Sequence, residues 1–366
     1  MLGDYGKVVT GNTPPTKDIE NYENGTYLWA SPADLGTHKL ISETKTKLSS
    51  KGFTKTRPLS KGSVLVTCIG STIGKTGMAT REMSTNQQIN SIVVNENNDN
   101  EFVYYVVQSA FPHYLSSIAV QAVPIISKSS FELLPSKRPS LQEQNKIGIF
   151  LSLLDERIST QHRLIEDLKK LSCAIVEKMF KQSKANGRLG DFIEQVSVRN
   201  KNGLYSNVLS VSNKQGFVKQ SEQFEDRTVA SDDTSNYKIV KRNNFAYNPA
   251  RINVGSIARL TKFDVGIVSP MYVCFRTKAS IIPEYMEAFF TSQQFFYEMM
   301  KRLEGSVRLC LSYEGLCNIP VYIPDMNKQI AMGQNISLIL SKIGLEIEYL
   351  GRLHQQKQYL LRKMFI

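Results

Sequence analysis

The sequence lacks the features that mark membrane-spanning, disulfide-stapled and metal-binding proteins. Its 366 residues contain no apolar run near the ~18 residues that a membrane span needs. Five cysteines, an odd number with no Cys-x-x-Cys pair, predict neither a disulfide framework nor a zinc knuckle. The four histidines are scattered and form no metal-ligand motif. No secretory leader is recognised, and we therefore expect a cytoplasmic protein.

Catalytic motifs are also missing. The segment from Gly70 to Thr76 is similar to a phosphate-binding loop, but three residues separate its glycines where that loop has four. Asn248-Pro249-Ala250-Arg251 lacks the second proline and the aromatic residue of the adenine-N6 methyltransferase motif. No acidic-x-Lys element follows Pro324-Asp325, as a nuclease would require, and no glycine-rich turn could hold S-adenosylmethionine. The chain is therefore predicted not to be an enzyme.

What the sequence does contain is a long internal repeat. Leu2-Gly3-Asp4 opens the first half and Leu189-Gly190-Asp191 opens the second, and Met-Phe closes each half at residues 179–180 and 364–365. The offsets nearly agree, since 191 − 4 = 187 and 364 − 179 = 185. A period of this length indicates a duplicated domain with its helix, because solenoid repeats are far shorter. Two similar recognition units would suit a target with two parts.

Each half is predicted to end in a long amphipathic helix. A heptad seam includes Leu151, Ile158 and Ile165, and an offset of 185 maps these residues onto Ile336, Ile343 and Leu350. Leu340 and Ile347 are assigned to the second seam as well. Helices of about 40 residues would be roughly 60 Å long and would need a partner along their apolar stripe. We expect an intramolecular antiparallel coiled coil; the alternative is two separate helices, each packed on its own domain.

The predicted class is α+β, with two α/β globular domains related by a pseudo-two-fold axis. The segments are a first domain at 1–138, a first helix at 139–182, a linker at 183–188, a second domain at 189–322 and a second helix at 323–366. Short alternating runs between turn residues indicate strands in both domains. Helical stretches are predicted at Glu101–Ser109 and Pro283–Arg302.

The net charge of +12 gives a first indication of a partner. Lysine and arginine are spread along the chain, which fits either an ordinary basic surface or a polyanionic partner. Neutralising phosphates releases counterions, so a basic surface favours nucleic acid. Charge alone leaves both interpretations open.

Two glycine-containing segments are predicted to contact DNA, because amides, guanidinium groups and ammonium groups can read base edges or bind phosphates. The first runs from Val66 to Lys75 and is followed by Asn86-Gln87-Gln88-Ile89-Asn90; the second runs from Tyr247 to Ile257. The alternative is that each forms a glycine-kinked strand pair that only shapes its domain. The candidate DNA-binding residues are Lys75, Gln87, Gln88, Arg251, Asn253, Ser256 and Arg308. Arg251 is the strongest, because it places a bidentate fork inside a glycine-bearing turn.

These motifs together resemble the specificity subunits of type I restriction–modification systems. Leu2-Gly3-Asp4 with Val9-Thr10-Gly11-Asn12-Thr13-Pro14 is similar to the opening of that family's first target-recognition domain. Leu59 through Lys75, with Asn86-Gln87-Gln88, is similar to its core, with Ser63 where an acidic residue is usual. The helix starts are similar too, at Pro139 to Ile147 and, with lysine in place of glutamate, at Pro324 to Ile330. The family usually has a short segment before Leu2, so we expect the first domain to be shortened or to close differently.

The resemblance implies a function and a set of partners. Each target-recognition domain would read one half of a bipartite, asymmetric double-stranded DNA sequence, and the helix pair would fix the spacer between the halves. The helices would dock two adenine-N6 methyltransferase subunits, and restriction subunits would join the complex. The chain itself would need no cofactor, because S-adenosylmethionine, ATP and Mg²⁺ belong to the partner subunits.

Two other interpretations remain open. One is the recognition portion of a fused restriction–methylation enzyme, which the missing methylase and nuclease motifs disfavour. The other is a basic coiled-coil scaffold without sequence-specific DNA binding. Sequence-specific binding would remove the scaffold interpretation, whereas co-purification with a methyltransferase would not.

Overall fold

A computed structural model describes residues 1–117, 125–181, 184–213, 215–223, 233–306 and 308–365. The chain divides into two compact units: unit 1 is Met1–His162 with Tyr349–Ile366, and unit 2 is Arg163–Glu348. Residues 182 and 183, which fall in the predicted first helix and linker, lie outside the described residues. No helix within the described ranges is long and apolar enough to cross a membrane.

Unit 1 combines short strands with helices. Its strands are β1 (Gly6–Thr10), β2 (Tyr27–Ala30), β3 (Leu40–Ile41), β4 (Thr46–Leu48), β5 (Val64–Thr67), β6 (Thr76–Ala79), β7 (Ser84–Thr85) and β8 (Ile89–Val94). Its helices are α1 (Ser50–Thr54), α2 (Asn100–Ser117), α3 (Lys128–Glu132) and the first part of α4 (Leu141–Lys181). The strands form a five-stranded sheet of order β1-β8-β5-β6-β3 and a three-stranded sheet of order β4-β2-β7.

Unit 2 repeats this composition. Its strands are β9 (Gly187–Arg188), β10 (Ile193–Gln195), β11 (Val208–Ser212), β12 (Gly216–Lys219), β13 (Lys238–Lys241), β14 (Phe245–Tyr247), β15 (Ile257–Arg259), β16 (Val265–Val268), β17 (Val273–Thr277) and β18 (Pro320–Val321). Its helices are α5 (Leu189–Phe192), α6 (Gln220–Gln223), α7 (Pro283–Phe290), α8 (Gln293–Met300), α9 (Tyr313–Cys317) and most of α10 (Met326–Met364). The sheets have the orders β10-β17-β14-β15, β12-β11-β16-β13 and β18-β9. Mixed sheets and helices in both units confirm the predicted α+β class.

The two units share one strand topology. The order β1-β8-β5-β6 in unit 1 corresponds to β10-β17-β14-β15 in unit 2, and every pairing in both series is antiparallel. In a second sheet of each unit, β2 pairs parallel with β7 and antiparallel with β4, as β11 does with β16 and β12. In unit 1 an isolated antiparallel bridge joins Leu59 and Met83, and its position is equivalent to that of the β13–β16 pairing in unit 2. The duplication therefore extends through the sheets.

Strand register gives the residue-by-residue correspondence between the units. Val66 pairs with Thr76 and Asn90, whereas Tyr247 pairs with Ile257 and Val273. The offset is 247 − 66 = 181 and 257 − 76 = 181 across the first hairpin, and 273 − 90 = 183 on the next strand. It is 193 − 6 = 187 at the first strand, where Gly6 and Ile193 pair with Val94 and Thr277. Small insertions and deletions thus separate the matching elements.

Each long helix begins with the same clamp onto its unit. The Gln144 side chain accepts from the Asp99 amide (3.1 Å) and donates to the Pro139 carbonyl (3.0 Å). At the equivalent place, Gln329 accepts from the Ile282 amide (3.0 Å) and donates to the Pro324 carbonyl (2.9 Å). Both glutamines are 1% exposed, so a buried amide is fully used in fixing each helix.

A glycine one turn later brings each helix close to its unit. A Cβ on Gly148 would lie 2.9 Å from the Cβ of Glu101, at the start of α2. A Cβ on Gly333 would lie 2.9 Å from the Cβ of Glu284, at the start of α7. Only a residue without a side chain permits this approach. The helix entrances are therefore duplicated in detail, with 333 − 148 = 185.

The two long helices run antiparallel within each unit. In unit 1, Leu154 and Ile158 of α4 form one apolar cluster with Leu353 of α10, and Asp155 binds Lys357 at 2.6 Å. In unit 2, Val176 and Phe180 of α4 share a core with Ile336 of α10. Of the predicted seam residues, Leu151, Ile158, Ile165, Ile336 and Ile343 are between 0% and 8% exposed, and Leu350 is half-buried.

Two parts of the helix predictions were wrong. Leu340 and Ile347 are each 48% exposed, whereas Ile339 and Glu346, one residue earlier, are half-buried. The predicted single helix at Pro283–Arg302 is two helices, α7 and α8. It is interrupted at Ser292, whose hydroxyl accepts from the Phe295 amide (3.1 Å) and caps α8.

Candidate nucleic-acid interface

The first candidate segment is the loop of nine residues, Thr67 to Lys75, between the paired residues Val66 of β5 and Thr76 of β6. Gly70 and Gly74 have φ of 97° and 88°, a left-handed conformation that favours glycine. The Thr67 amide donates to the Lys75 carbonyl (2.9 Å), and the Ile73 amide donates to the Gly70 carbonyl (3.2 Å). The loop is therefore held by its own backbone rather than by packing alone.

Lys75 closes this loop, and its aliphatic stem lies against another turn. The residue is half-buried, and its side chain extends past Gly36, where an added Cβ would lie 3.0 Å from Lys75 Cγ. The apolar stem thus lies on the backbone of another turn, as is usual for a long cationic side chain. Such a side chain can reach a phosphate oxygen.

Gln87 and Gln88 lie in the turn that joins β7 to β8, beside the loop. The Gln88 carbonyl accepts from the Cys68 amide (2.8 Å), which ties this turn to the start of the loop. Gln87 is exposed, and its side-chain oxygen accepts a hydrogen bond from the Thr13 hydroxyl. Gln88 is half-buried, with its side-chain oxygen accepting from Asn86 (3.0 Å). The structure therefore brings these two candidates next to the loop that Lys75 ends.

Unit 2 contains an equivalent loop, from Asn248 to Ser256 between β14 and β15, also of nine residues. The Asn248 amide donates to the Ser256 carbonyl (3.1 Å), as Thr67 does to Lys75. The Val254 amide donates to the Arg251 carbonyl (3.2 Å), as Ile73 does to Gly70. The correspondence extends to the left-handed glycine, since Gly255 has φ of 88°.

The side chains on the second loop differ from those on the first. Arg251, at the position of Gly70, is exposed, and Asn253, at the position of Thr72, is half-buried. Ser256, at the position of Lys75, is only 5% exposed, and its hydroxyl donates to the Val211 carbonyl (3.1 Å). Ser256 therefore holds the loop onto β11, and its hydroxyl is not presented to solvent. This placement favours the structural interpretation for that residue.

Arg308 lies in a hairpin next to the second loop. Glu304 and Cys310 exchange backbone hydrogen bonds of 2.9 and 2.8 Å, and Arg308 is exposed between them. Gly305 has φ of 117°, and an added Cβ there would lie 2.3 Å from the Arg308 carbonyl oxygen. Because the Leu311 amide donates to the Pro249 carbonyl (3.1 Å), the hairpin is attached to the loop that bears Arg251.

The charges at these loops can act on a ligand. Within the described parts of the chain, neither Arg251 nor Arg308 has an ion-pair partner. Across the same residues there is no group of three or more His, Cys, Asp or Glu that could hold a metal ion. Both loops therefore present cationic, amide and backbone groups. Such groups can bind phosphate oxygens and base edges.

Sequence reasoning did not single out the unit 2 counterpart of the glutamine turn. The offset of 183 on β8 and β17 places Ser269, Pro270 and Met271 at the positions of Asn86, Gln87 and Gln88. Met271 is 59% exposed. Neither residue type nor motif marks this turn, and only strand register identifies it.

Comparison with known proteins places the first half of the chain in a family. Residues 1–170 match the family model described as "Type I restriction modification DNA specificity domain". These residues belong to that family. The resemblance drawn from the sequence motifs is thereby confirmed, and it covers the loop with Lys75 and the turn with Gln87 and Gln88.

Curated relatives agree with this family. The specificity subunit of the type I restriction enzyme MjaIX from Methanocaldococcus jannaschii is 28% identical over 185 residues, which are 49% of this chain and 42% of that protein. The HindI specificity subunit from Haemophilus influenzae is also 28% identical over 175 residues, 45% of this chain and 38% of that protein. The chain thus matches less than half of the length of these relatives.

Solved structures show the same fold over the whole chain. The S subunit of a type I restriction–modification system from M. genitalium has a TM-score of 0.60 at 17% identity, with 100% of this chain and 95% of that chain covered. A chain from a study of complex assembly in a type I restriction–modification system has a TM-score of 0.59 at 14% identity, with coverage of 99% and 95%. At these identities the likeness concerns the fold alone.

Proposed function

We propose that this chain is a non-catalytic, sequence-specific DNA-binding subunit of a type I restriction–modification complex, and that its two units read the two halves of a bipartite target. The observation that carries the proposal is the duplicated loop. Both copies have nine residues, the same two backbone hydrogen bonds and a glycine at φ 88°, yet they present different side chains. A shared scaffold with unlike side chains suits two unlike half-sites.

Some residues of the loops and of the segments beside them would position each unit on the DNA, and others would read the base sequence. Lys75 and Arg308 would bind phosphate oxygens, which fixes the register of each unit on the duplex without reading sequence. Gln87, Gln88, Arg251 and Asn253 would contact base edges in the major groove, because amides pair bidentately with adenine and guanidinium with guanine. The net charge of +12 would support both roles by favouring the approach to DNA.

The long helices would set the spacer and receive the partner subunits. We propose two adenine-N6 methyltransferase subunits and, with them, restriction subunits. Support comes from exposed apolar side chains on the helices, among them Leu153 (58% exposed) and its repeat equivalent Leu338 (69% exposed). Exposed apolar patches commonly mark protein–protein contacts. S-adenosylmethionine, ATP and Mg²⁺ would then be held by the partner subunits, in the cytoplasm.

The experiment that tests this proposal is methylation mapping. The chain is co-expressed with an adenine methyltransferase from its own genome, and N6-methyladenine is mapped on the host DNA by long-read sequencing. We expect methylation at one split motif, seen only when this chain is present. A soluble complex that adds no methylation would refute the specificity role.

Two further outcomes separate the competing interpretations. Failure to bind the methyltransferase, together with equal affinity for all duplexes, would favour a basic scaffold. Methylation at a split motif only when the chain and the methyltransferase are joined in one polypeptide would indicate the recognition portion of a fused enzyme. A control with Arg251→Ala should leave complex formation intact and alter one half of the motif only.

A further inference from the structure

We infer that Met271 is a base-contacting residue of unit 2, and that it contacts the C5-methyl group of a thymine in the half-site that this unit reads. The inference rests on the proposed function and deepens it, since it names the chemistry of one contact. It is drawn from the register of the strands and from the surroundings of the turn that bears Met271.

The position of Met271 follows from the pairing of equivalent strands. Asn90 pairs with Val66 in unit 1, and Val273 pairs with Tyr247 in unit 2. Counting back two residues from each gives Gln88 and Met271. The two turns therefore stand beside the two equivalent loops, at the same edge of the equivalent sheets. If Gln88 faces DNA, Met271 does so as well.

Met271 is also held in a way that suits a contact residue. The Tyr272 amide donates to the Ser269 carbonyl (3.1 Å) and closes the turn. Lys238 Nζ donates to the Tyr272 carbonyl (2.6 Å), and the buried Tyr272 ring belongs to the core between the sheets. The residue after Met271 is thus anchored, while Met271 itself is 59% exposed. Because the turn is already fixed, little conformational entropy would be lost when the exposed apolar side chain becomes buried against a ligand.

The ligand chemistry follows from the side chain. Methionine has no hydrogen-bond donor and at most a weak acceptor, so it cannot read the donor and acceptor pattern of a base as Gln88 can. In the major groove, the one apolar group on a base edge is the thymine methyl. The flexible thioether fills irregular apolar gaps well. A thymine methyl is therefore the partner that Met271 fits.

A basic side chain at the turn, that of Lys238, would bind a neighbouring phosphate. The backbone of Arg199 bridges to that of Lys238, whose side chain reaches the Tyr272 carbonyl. Arg199 is exposed, with one hydrogen bond from its guanidinium to Asn236 (3.0 Å). It occupies the place of Asn12 in unit 1, because 199 − 12 = 187, the offset found at the first strand. The Lys238 ammonium thus lies at the residue that follows Met271, and a cationic group there suits a phosphate beside the contacted base.

The test removes the methyl group from the DNA and the thioether from the protein. The complete complex with its methyltransferase is titrated against fluorescent duplexes that carry the mapped split motif, with each thymine replaced in turn by deoxyuridine. We expect one position at which the loss of the methyl weakens wild-type binding about fourfold, the effect of one buried methyl group. Met271→Ala should bind the thymine duplex more weakly by at least the same factor, because it removes the apolar partner of that methyl group. It should show no further loss with deoxyuridine at that position, because the two changes remove the same contact.

Two results would overturn the inference. These are the absence of any thymine at which deoxyuridine weakens wild-type binding, or an unchanged sensitivity to deoxyuridine in Met271→Ala. Met300→Ala is the matched control, since Met300 is 43% exposed on α8 of the same unit and should bind as wild type does. If wild type does not prefer its motif over a scrambled duplex, the proposed function fails instead.

Discussion

The two units attach their long helices through an equivalent pair of aromatic rings but differ in what is added to it. In unit 1 the rings of Phe102 and Phe365 lie 5.5 Å apart, and a polar network is added. The Tyr105 hydroxyl donates to Asp155 of α4 (2.7 Å), Asp155 also binds Lys357 of α10 (2.6 Å), and Lys39 reaches Tyr105 (3.0 Å) and Ser152 (3.3 Å). Burial raises the pKa of Tyr105, so its hydroxyl stays protonated and keeps donating at neutral pH.

In unit 2 further aromatic rings are added to the equivalent pair, Phe180 and Tyr285. The Phe180 ring of α4 lies 5.3 Å from Tyr285 and 5.2 Å from Phe289 of α7, and Phe289 continues to Phe295 of α8 at 5.6 Å. Unit 1 has Val106 at the position of Phe289, since 289 − 106 = 183. The comparison shows that one backbone arrangement can be further stabilised by a charged network or by additional ring packing. The charged network is sensitive to the loss of a single hydrogen-bond or ion-pair partner. The ring packing is sensitive to the loss of side-chain volume.

The largest expected effect is on the helix seam, which both units use. Ile158→Asp in unit 1 or Ile343→Asp in unit 2 places an unpaired carboxylate at a buried position and should cost about 3–5 kcal/mol. Amide hydrogen exchange should rise along the helices of the mutated unit, and assembly with the methyltransferase should be lost. Leu153→Asp is the control for stability, because Leu153 is 58% exposed and should leave exchange unchanged. Normal assembly of both seam variants would contradict the role of the helix pair.

The aromatic attachment should be the next most sensitive. Phe289→Ala removes a fully buried ring from unit 2 and should lower the free energy of unfolding by about 3–5 kcal/mol. Urea unfolding followed by exchange of unit 2 amides measures the change. Phe296→Ala, at a 45% exposed position of the same unit, should stay near wild type. Equal losses in the two variants would mean that the cluster around Phe289 does not fix the helix.

The loss of Arg251 should weaken DNA binding without unfolding the protein. Arg251→Ala should cost about 1–3 kcal/mol in affinity for the specific duplex and relax the preference at one position. Fluorescence anisotropy on matched and mismatched duplexes measures both changes. Arg276→Ala is the comparison, because Arg276 is already paired with Glu194. If affinity and preference both survive in Arg251→Ala, this arginine is a framework residue.

The equivalent glycines allow a direct comparison of the two loops. Gly74→Ala and Gly255→Ala both force a side chain into a left-handed conformation, at a cost of about 1–2 kcal/mol. The added Cβ would lie 3.0 Å from Phe111 in unit 1 but 3.7 Å from the nearest atom, of Asn213, in unit 2. Thermal unfolding should therefore show the larger loss for Gly74→Ala. The reverse order would argue against the equivalence of the loops.

The smallest expected effect on stability is in the polar network that attaches the long helices in unit 1. Tyr105→Phe removes the hydroxyl that binds Asp155 while Lys357 still pairs with the carboxylate, so we expect a loss of about 1 kcal/mol. Calorimetry of the variant is compared with Tyr359→Phe, whose ring is 62% exposed. A loss several times larger than this would show that the network acts cooperatively.

Much of the architecture could be predicted from the sequence. The two Leu-Gly-Asp openings marked the repeat, and the heptad spacing of Leu151, Ile158 and Ile165 marked the long helix, because both signals depend on local order. Leu340 and Ile347 were misplaced because apolar residues occur on both flanks of that helix, and only packing selects one. Ser256 could not be judged either, since its burial depends on β11, which is distant in the chain.

The sequence by itself determined that the chain is duplicated, that each half ends in an amphipathic helix, and that its exposed chemistry is cationic and amide-rich. These properties are local or compositional, and they persist whatever the strands pair with. The tertiary structure decided which residues of the two halves correspond. The difference in residue number between equivalent positions of the two units is 187 at the first strand, 181 and 183 on the other sheet strands, and 185 on the long helices. Hydrogen-bond register, which joins residues far apart in sequence, places Gly74 with Gly255 and Gln88 with Met271.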